Sequence, residues 1–123
     1  EVVAEKVWAE LASHPAELLS RVVVASRYCA PLRRFRELAA GRVATSACES
    51  EATNFLLTAQ FGFLNVYRTF FPPQYQLFQI PTETSGIRLA QPNMLKLAHD
   101  AGIMVHFWVI NDGQEAVELL KMG

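Results

Sequence analysis

The sequence predicts an α/β domain in which parallel strands alternate with helices. Two observations lead to this fold class. Short apolar runs rich in β-branched residues, such as residues 21–26 and 103–110, are continuous rather than alternating, which is typical of strands buried on both faces of a parallel sheet. Each run is followed by a helical pattern, and this alternation favours a parallel sheet covered by helices.

The elements are expected in the order of one helix followed by four strand–helix units. Val3, Val7, Trp8 and Leu11 recur at helical spacing, and Pro15 fits the first turn of a short second helix. The four strands are expected near residues 22–26, 42–46, 76–80 and 103–109. The later helices are expected over residues 31–41, 49–61, 92–102 and 113–123, with residues 63–73 ambiguous and residues 82–90 a loop and a short extended piece.

Helix ends are marked by residues that start or stop helices. Pro92 opens one helix and Gly102 ends it, while Asp112 and Glu115 form a capping-box pattern at the start of the last one. Periodicity leaves two architectures open. An open doubly wound sheet can be completed in 123 residues, whereas a (β/α)8 barrel needs about 250, so that this chain would form part of one.

Composition excludes several classes of function. The net charge of −1 gives no electrostatic case for nucleic acid or for an anionic membrane surface, and no apolar run is long enough for a membrane span. Because residues 1–11 carry no basic run and no cleavage-site pattern, we expect this segment to be an amphipathic helix and not a secretory signal. Cys29 and Cys48 lie outside any CxxC pattern, so we expect two reduced structural thiols, which is compatible with a cytoplasmic setting.

Most charged and titratable residues have a structural interpretation. Arg33, Arg34 and Arg36 fit a solvated helix face, and Glu49 and Glu51 fit the first turn of a helix, where carboxylates complement the helix dipole. His14 lies at a helix boundary, His99 is expected to face solvent, and Glu83 is a weak candidate for a ligand. His106 shares strand parity with Trp108, and we expect it to be buried and hydrogen-bonded.

Candidate site residues are those that follow the carboxyl ends of the strands, where α/β proteins bind ligands. Ser26, Gln79, Trp108 and Asn111 all lie there. Trp108 can act as a flat apolar wall beside polar groups. HExxH, GxSxG, P-loop and GxGxxG patterns do not occur in the sequence, so the residues themselves identify no catalytic residue and no metal ligand.

The last 46 residues, FQIPTETSGIRLAQPNMLKLAHDAGIMVHFWVINDGQEAVELLKMG, closely resemble the C-terminal part of the glycerophosphodiester phosphodiesterase family. That family has a strand ending in Gln-x-Pro, a helix with Ala-His, and a strand reading V-H-x-W-T-V-N-D. The matching residues here are Gln79, Pro81, Pro92, Ala98, His99, Gly102, Val105, His106, Trp108, Asn111, Asp112 and Gly123. Val109 and Ile110 replace the family's Thr and Val, and Arg27 departs from its Ser-Phe motif after Ser26.

The resemblance implies a partial (β/α)8 TIM barrel. Residues 1–123 would form its C-terminal portion, with about four βα units of parallel strands, lacking the N-terminal strands and the last strand. It implies a metal-dependent hydrolase of lipid and glycerol metabolism, which converts a glycerophosphodiester and water to glycerol 3-phosphate and an alcohol. Trp108, Gln79, Ser26 and Asn111 would line the substrate pocket.

The family's catalytic histidines and its acidic ligands for a divalent metal, Mg²⁺ or Ca²⁺, belong to motifs that are not in this sequence. We therefore expect no catalytic residue here, no metal bound by this chain alone and no activity alone. Self-association through exposed strand edges is also expected. Two alternatives remain: a non-catalytic half-barrel that serves as a binding or assembly module, and an unrelated flavodoxin-like domain.

Overall fold

The computed structural model describes residues 2–123 and divides the chain into two compact units, of which the first ends at Gln76 and the second runs from Leu77 to Gly123. The first unit contains five helices and two strands among its described residues. They are α1 (Val2–Ala12), α2 (Ala16–Leu19), β1 (Val23–Val24), α3 (Cys29–Ala39), β2 (Ala44–Thr45), α4 (Glu49–Gln60) and α5 (Leu64–Phe70). The second contains β3 (Leu77–Ile80), β4 (Glu83–Thr84), β5 (Ile87–Arg88), α6 (Pro92–Asp100), β6 (Met104–Phe107) and α7 (Gly113–Lys121).

The core of the first unit is a cluster in which buried side chains of α1, α2 and α3 pack together, with Val24 of β1 against them. Phe35 is 1% exposed and meets the edge of the Trp8 ring, with ring centroids 6.0 Å apart. The Arg42 guanidinium lies 4.3 Å from the centroid of the same indole, a cation–π arrangement that covers its outer side. The buried members of this cluster are Ala4, Leu19, Phe35, Ala39 and Val43. The predicted first helix is confirmed, and Trp8 and Leu11 pack against the cluster. Val3 and Val7, predicted at the same spacing, are exposed by 68% and 36%.

The helix boundaries follow from their capping residues. Pro92 occupies the first turn of α6, as predicted. The Asp112 carboxylate accepts a hydrogen bond from the Glu115 N–H at 2.8 Å and so caps α7. The ambiguous residues 63–73 contain the short helix α5. At the end of α3 the chain turns through positive φ angles at Ala40 (48°) and Gly41 (78°), a conformation that glycine tolerates best.

The predicted partial (β/α)8 barrel, with four parallel strands adjacent in chain order, is wrong. Each of the four predicted windows contains one strand, namely β1, β2, β3 and β6. Residues 2–123 nevertheless form only two-stranded sheets: β1 with β2 and β3 with β6, both parallel, and β4 with β5, antiparallel. The antiparallel hairpin was expected to be a loop and an extended piece. Ser85 and Gly86 both have positive φ angles (50° and 75°), which is the geometry of a two-residue hairpin turn.

A local hydrogen-bond substitution helps to explain why β2 has only one partner strand. The Gln76 N–H donates to the Thr45 carbonyl at 3.0 Å, as a neighbouring strand would. The Thr45 N–H, however, donates to the side-chain oxygen of Gln76 at 2.9 Å instead of to a backbone carbonyl. Because a ladder needs both backbone groups, the Gln76 side chain takes the place of strand pairing at this position.

Candidate functional site

The second unit carries an exposed face of polar and aromatic side chains on the β3–β6 pair. Gln79 and His106 are partners in the parallel register, so their side chains point to the same side of the pair. Trp108 lies two residues beyond His106, and its N–H donates to the Ile80 carbonyl at 3.1 Å, which extends the pairing past the end of β6. All three side chains are exposed, Trp108 by 51%. We call Gln79, His106 and Trp108 the β3–β6 face.

The sequence of β3 explains why Gln79 is presented outward. Leu77, Phe78 and Ile80 are all buried, with exposures of 0%, 1% and 7%. Burial of these three side chains fixes the strand, and Gln79 is left as its polar, accessible member.

His106 is exposed, so the prediction that it is buried and hydrogen-bonded is wrong. Parity predicts that it shares a side with Trp108, which is also exposed. Sequence reasoning treated that side as interior, and the structure leaves it open. His106 thus joins Gln79 and Trp108 as a group that can meet a ligand.

Asn111 lies in the loop between β6 and α7 and is exposed. It immediately precedes Asp112, whose side chain is occupied by the α7 cap. Of these two neighbouring polar residues, Asn111 is the one whose side chain has no capping role.

Ser26 belongs to the first unit, in the loop after β1. Its hydroxyl oxygen accepts a hydrogen bond from the Tyr28 N–H at 3.1 Å, which stabilises the turn leading into α3. This local bond is a structural role that the sequence analysis did not assign to Ser26.

Arg36 does not lie on a solvated helix face, which corrects that prediction. Its side chain is only 12% exposed and forms a bidentate ion pair with Glu51, with N–O distances of 2.6 and 3.0 Å. It also donates to the Thr45 hydroxyl and the Ser46 carbonyl, both at 2.9 Å. The sequence signal that was missed is the buried Thr45-Ser46 pair that follows α3, because its oxygen atoms need a donor and Arg36 provides one.

Glu51 is held ionised by this network. Partial burial opposes its charge, but hydrogen bonds from Arg36 and from the Cys48 N–H outweigh it and hold the pKa of the carboxyl below its ordinary value. Its predicted place in the first turn of α4 is confirmed. Glu49, also in that turn, forms an exposed bidentate pair with Arg27 that lowers the pKa of Glu49.

A cleft of about 600 Å³ opens beside Arg36, lined also by Arg33, Glu37, Thr45 and Gln76. Arg36 is already engaged by Glu51, Thr45 and Ser46, so its charge is compensated inside the protein. The charge of Arg36 is therefore not available to an anionic ligand in the cleft.

The residues at the candidate site do not fit a divalent cation. Among residues 2–123 there is no group of three or more His, Cys, Asp or Glu side chains that could hold a metal ion. Glu83 is exposed in β4, and Glu49 and Glu51 are occupied by arginines. A Mg²⁺ or Ca²⁺ site needs several converging oxygen ligands, which these side chains do not provide.

The cysteines are not the two reduced thiols that were expected. Cys29 and Cys48 form a disulfide, with Cα atoms 5.1 Å apart. This finding removes the thiol-based argument for a cytoplasmic setting. Separately, no helix in the described part of the chain has the length and apolar character needed to cross a bilayer.

Comparison with known proteins adds no assignment. No protein-family model matches the chain, and no curated protein matches it either. The resemblance to glycerophosphodiester phosphodiesterases therefore rests on the motif residues of the last 46 positions alone.

Proposed function

We propose that this chain supplies part of the substrate pocket of a metal-dependent glycerophosphodiester phosphodiesterase and is inactive alone. The single observation that carries the proposal is the β3–β6 face. It joins an exposed amide and an exposed indole at the carboxyl end of a parallel strand pair, and both belong to the stretch that resembles the family.

The chemistry of these side chains suits the proposed substrate. A glycerophosphodiester has hydroxyl and phosphoryl oxygen atoms at one end and an organic alcohol group at the other. The Gln79 amide can donate to the oxygen atoms and accept from a hydroxyl, while the Trp108 ring can cover the organic group. Asn111 is a further polar neighbour on the loop that follows Trp108.

The proposed reaction is hydrolysis at phosphorus. Water forms the new P–O bond, the bond from phosphorus to the alcohol oxygen breaks, and the alcohol leaves with a proton. The reaction requires a base, an acid and stabilisation of the phosphoryl charge. Gln79, Trp108 and Asn111 can bind and orient the ester but cannot transfer protons, so they are assigned to binding only.

Binding can be tested on the chain itself by NMR titration with glycerophosphocholine. The chain has two tryptophans, and Trp8 is the internal control because it packs on Phe35 in the first core. We expect the indole N–H signal of Trp108 to shift at millimolar ligand and that of Trp8 to stay in place. Gln79→Ala should reduce the affinity, and Gln74→Ala, a change at another exposed glutamine, should not.

A Trp108 signal that does not respond to glycerophosphocholine would refute the pocket assignment. Release of glycerol 3-phosphate is the second measurement, and we expect none from this chain, with or without Mg²⁺ or Ca²⁺. Metal-stimulated turnover would contradict the proposal and direct the search for ligands to Glu49, Glu51, Glu83 and Asp112. Self-association through strand edges remains a prediction that sedimentation can test.

A further inference from the structure

The disulfide joins the two loops that follow β1 and β2. Cys29 is the first residue of α3, and Cys48 is the N-cap of α4. Since β1 and β2 are parallel, both loops leave the same end of the pair. The bond therefore ties together two loops at the end of the strand pair where Ser26 also lies.

The two sulfur atoms have different access to solvent. Cys48 is 1% exposed, whereas Cys29 is only partly buried. A thiolate that opens a disulfide must approach one sulfur in line with the S–S bond, so access favours attack at Cys29. The Ser50 hydroxyl lies 2.9 Å from the Cys29 sulfur and 3.8 Å from that of Cys48.

The local structure also suits the reduced form. Both cysteines stand at the N-termini of helices, 11 residues long in α3 and 12 in α4. First-turn N–H groups and the helix dipole stabilise a thiolate at such a position. The helix N-terminus favours departure of the Cys48 sulfur as an anion, while its burial and the Glu51 carboxylate, which accepts from the Cys48 N–H, oppose it.

Other contacts would remain after the disulfide opens. The Glu49 N–H donates to the Arg27 carbonyl at 3.0 Å, and the Arg27–Glu49 ion pair spans the same two loops. That pair is exposed, with side-chain exposures of 72% and 60%, and exposed ion pairs contribute little. Cys48 is buried, but neither cysteine is a member of the cluster formed by Ala4, Leu19, Phe35, Ala39 and Val43. Opening the disulfide should thus loosen the loops and leave that cluster in place.

We propose that Cys29–Cys48 is a redox-exchange site for a dithiol reductant, and that its opening loosens the loops after β1 and β2. One thiolate of the dithiol bonds to the Cys29 sulfur, the S–S bond breaks, and Cys48 leaves as a thiolate and takes up a proton. The second thiol of the reductant then displaces Cys29, which also takes up a proton. Two electrons and two protons pass to the protein, and the dithiol becomes a disulfide.

The site of attack can be read with glutathione, a monothiol that leaves a stable adduct. The native chain is exposed briefly to reduced glutathione, quenched with acid, alkylated and digested with trypsin. Cys29 then lies in the peptide of residues 28–33 and Cys48 in that of residues 43–68. We expect at least about tenfold more glutathione on the first peptide, because the attacked sulfur keeps the adduct.

The effect on the loops can be read by hydrogen exchange with and without dithiothreitol. Exchange over residues 25–29 and 46–50 should quicken by about tenfold or more on reduction, while the far-ultraviolet circular dichroism of the chain stays unchanged. The Cys29→Ser, Cys48→Ser double variant should match the reduced chain. Arg27→Gln, which removes the ion pair and keeps the disulfide, should leave the oxidised loops protected.

Three results would each overturn the proposal. They are glutathione bound mainly to Cys48, amide exchange in the loops that does not change on reduction, and loss of the helical circular-dichroism signal when the wild-type chain is reduced. The last result would mean that the disulfide is a structural cross-link. Should the double variant fail to fold, the reduced wild-type chain decides the question, since it needs no substitution.

Discussion

The ion pair between Arg36 and Glu51 should contribute measurably to the stability of the first unit, and Glu51→Gln tests this. Glutamine keeps the size of the side chain and an oxygen that can accept from the Cys48 N–H, but it removes the charge. Ion pairs in full solvent contribute about 0–1 kcal/mol, whereas breaking a buried pair costs about 3–5 kcal/mol. Arg36 and Glu51 are 12% and 27% exposed. We therefore expect a loss between these limits, of about 2 kcal/mol.

The direction of the Glu51 pKa shift determines how its contribution to stability should vary with pH. Because the folded pKa of Glu51 lies below its ordinary value of 4.5, folding favours the ionised form. The contribution is fully present above the ordinary value and is lost as the pH falls through the folded pKa. The difference between wild type and Glu51→Gln should be constant from neutral pH down to about pH 5 and should shrink below about pH 4.

Urea unfolding followed by Trp8 fluorescence measures this difference. Both proteins carry Trp108→Phe, so that the signal comes from the first unit, where the ion pair also lies. Glu49→Gln is the matched control, since its partner Arg27 is exposed, and we expect a much smaller shift of the midpoint. The reasoning is refuted if the two glutamine variants unfold at the same urea concentration, or if the Glu51→Gln difference persists undiminished at pH 3.

Two further predictions concern packing and capping. Phe35→Ala should cost about 3–5 kcal/mol in the same unfolding assay, because it opens a cavity beside Trp8. Phe70→Ala is the control: this side chain is 73% exposed, so stability should change by less than about 0.5 kcal/mol. Equal costs for the two variants would contradict the assigned core. Asp112→Ala should cost about 1 kcal/mol through loss of the α7 cap and should quicken hydrogen exchange of the Glu115 amide. Asp112→Asn should keep most of the protection of that amide. An exchange rate of the Glu115 amide that is the same in Asp112→Ala as in the wild type would show that the cap is not formed.

The sequence was a good guide to the position of elements because local rules decide it. Pro92 and Asp112 start helices through the constraints and hydrogen bonds of a single turn, and both do so here. All four strand windows contain a strand. Pairing was harder to predict because it depends on groups far apart in the chain. The Gln76 side chain accepts a hydrogen bond from the Thr45 N–H, 31 positions away in the sequence. The local pattern around either residue does not predict this bond.

The same distinction explains what the sequence missed among the side chains. Arg36 lies in an amphipathic helix with Arg33 and Arg34, and the three look alike in sequence. What separates Arg36 is its access to Thr45, Ser46 and Glu51, which come from the next strand and helix. The disulfide was missed for a related reason, because the spacing of Cys29 and Cys48 matches no motif and only the shared end of β1 and β2 brings the two together.

The exposure of His106 shows that the periodicity of a strand predicts which residues share a face but not whether that face is buried. Alternation along a strand fixes which side chains share a face, and it predicts that His106 shares one with Trp108. It does not determine whether that face is covered, because burial depends on the elements packed against it. The prediction of a buried His106 assumed a covered face. With His106 exposed and in register with Gln79, a ligand on the β3–β6 face would meet an imidazole ring as well as an amide and an indole.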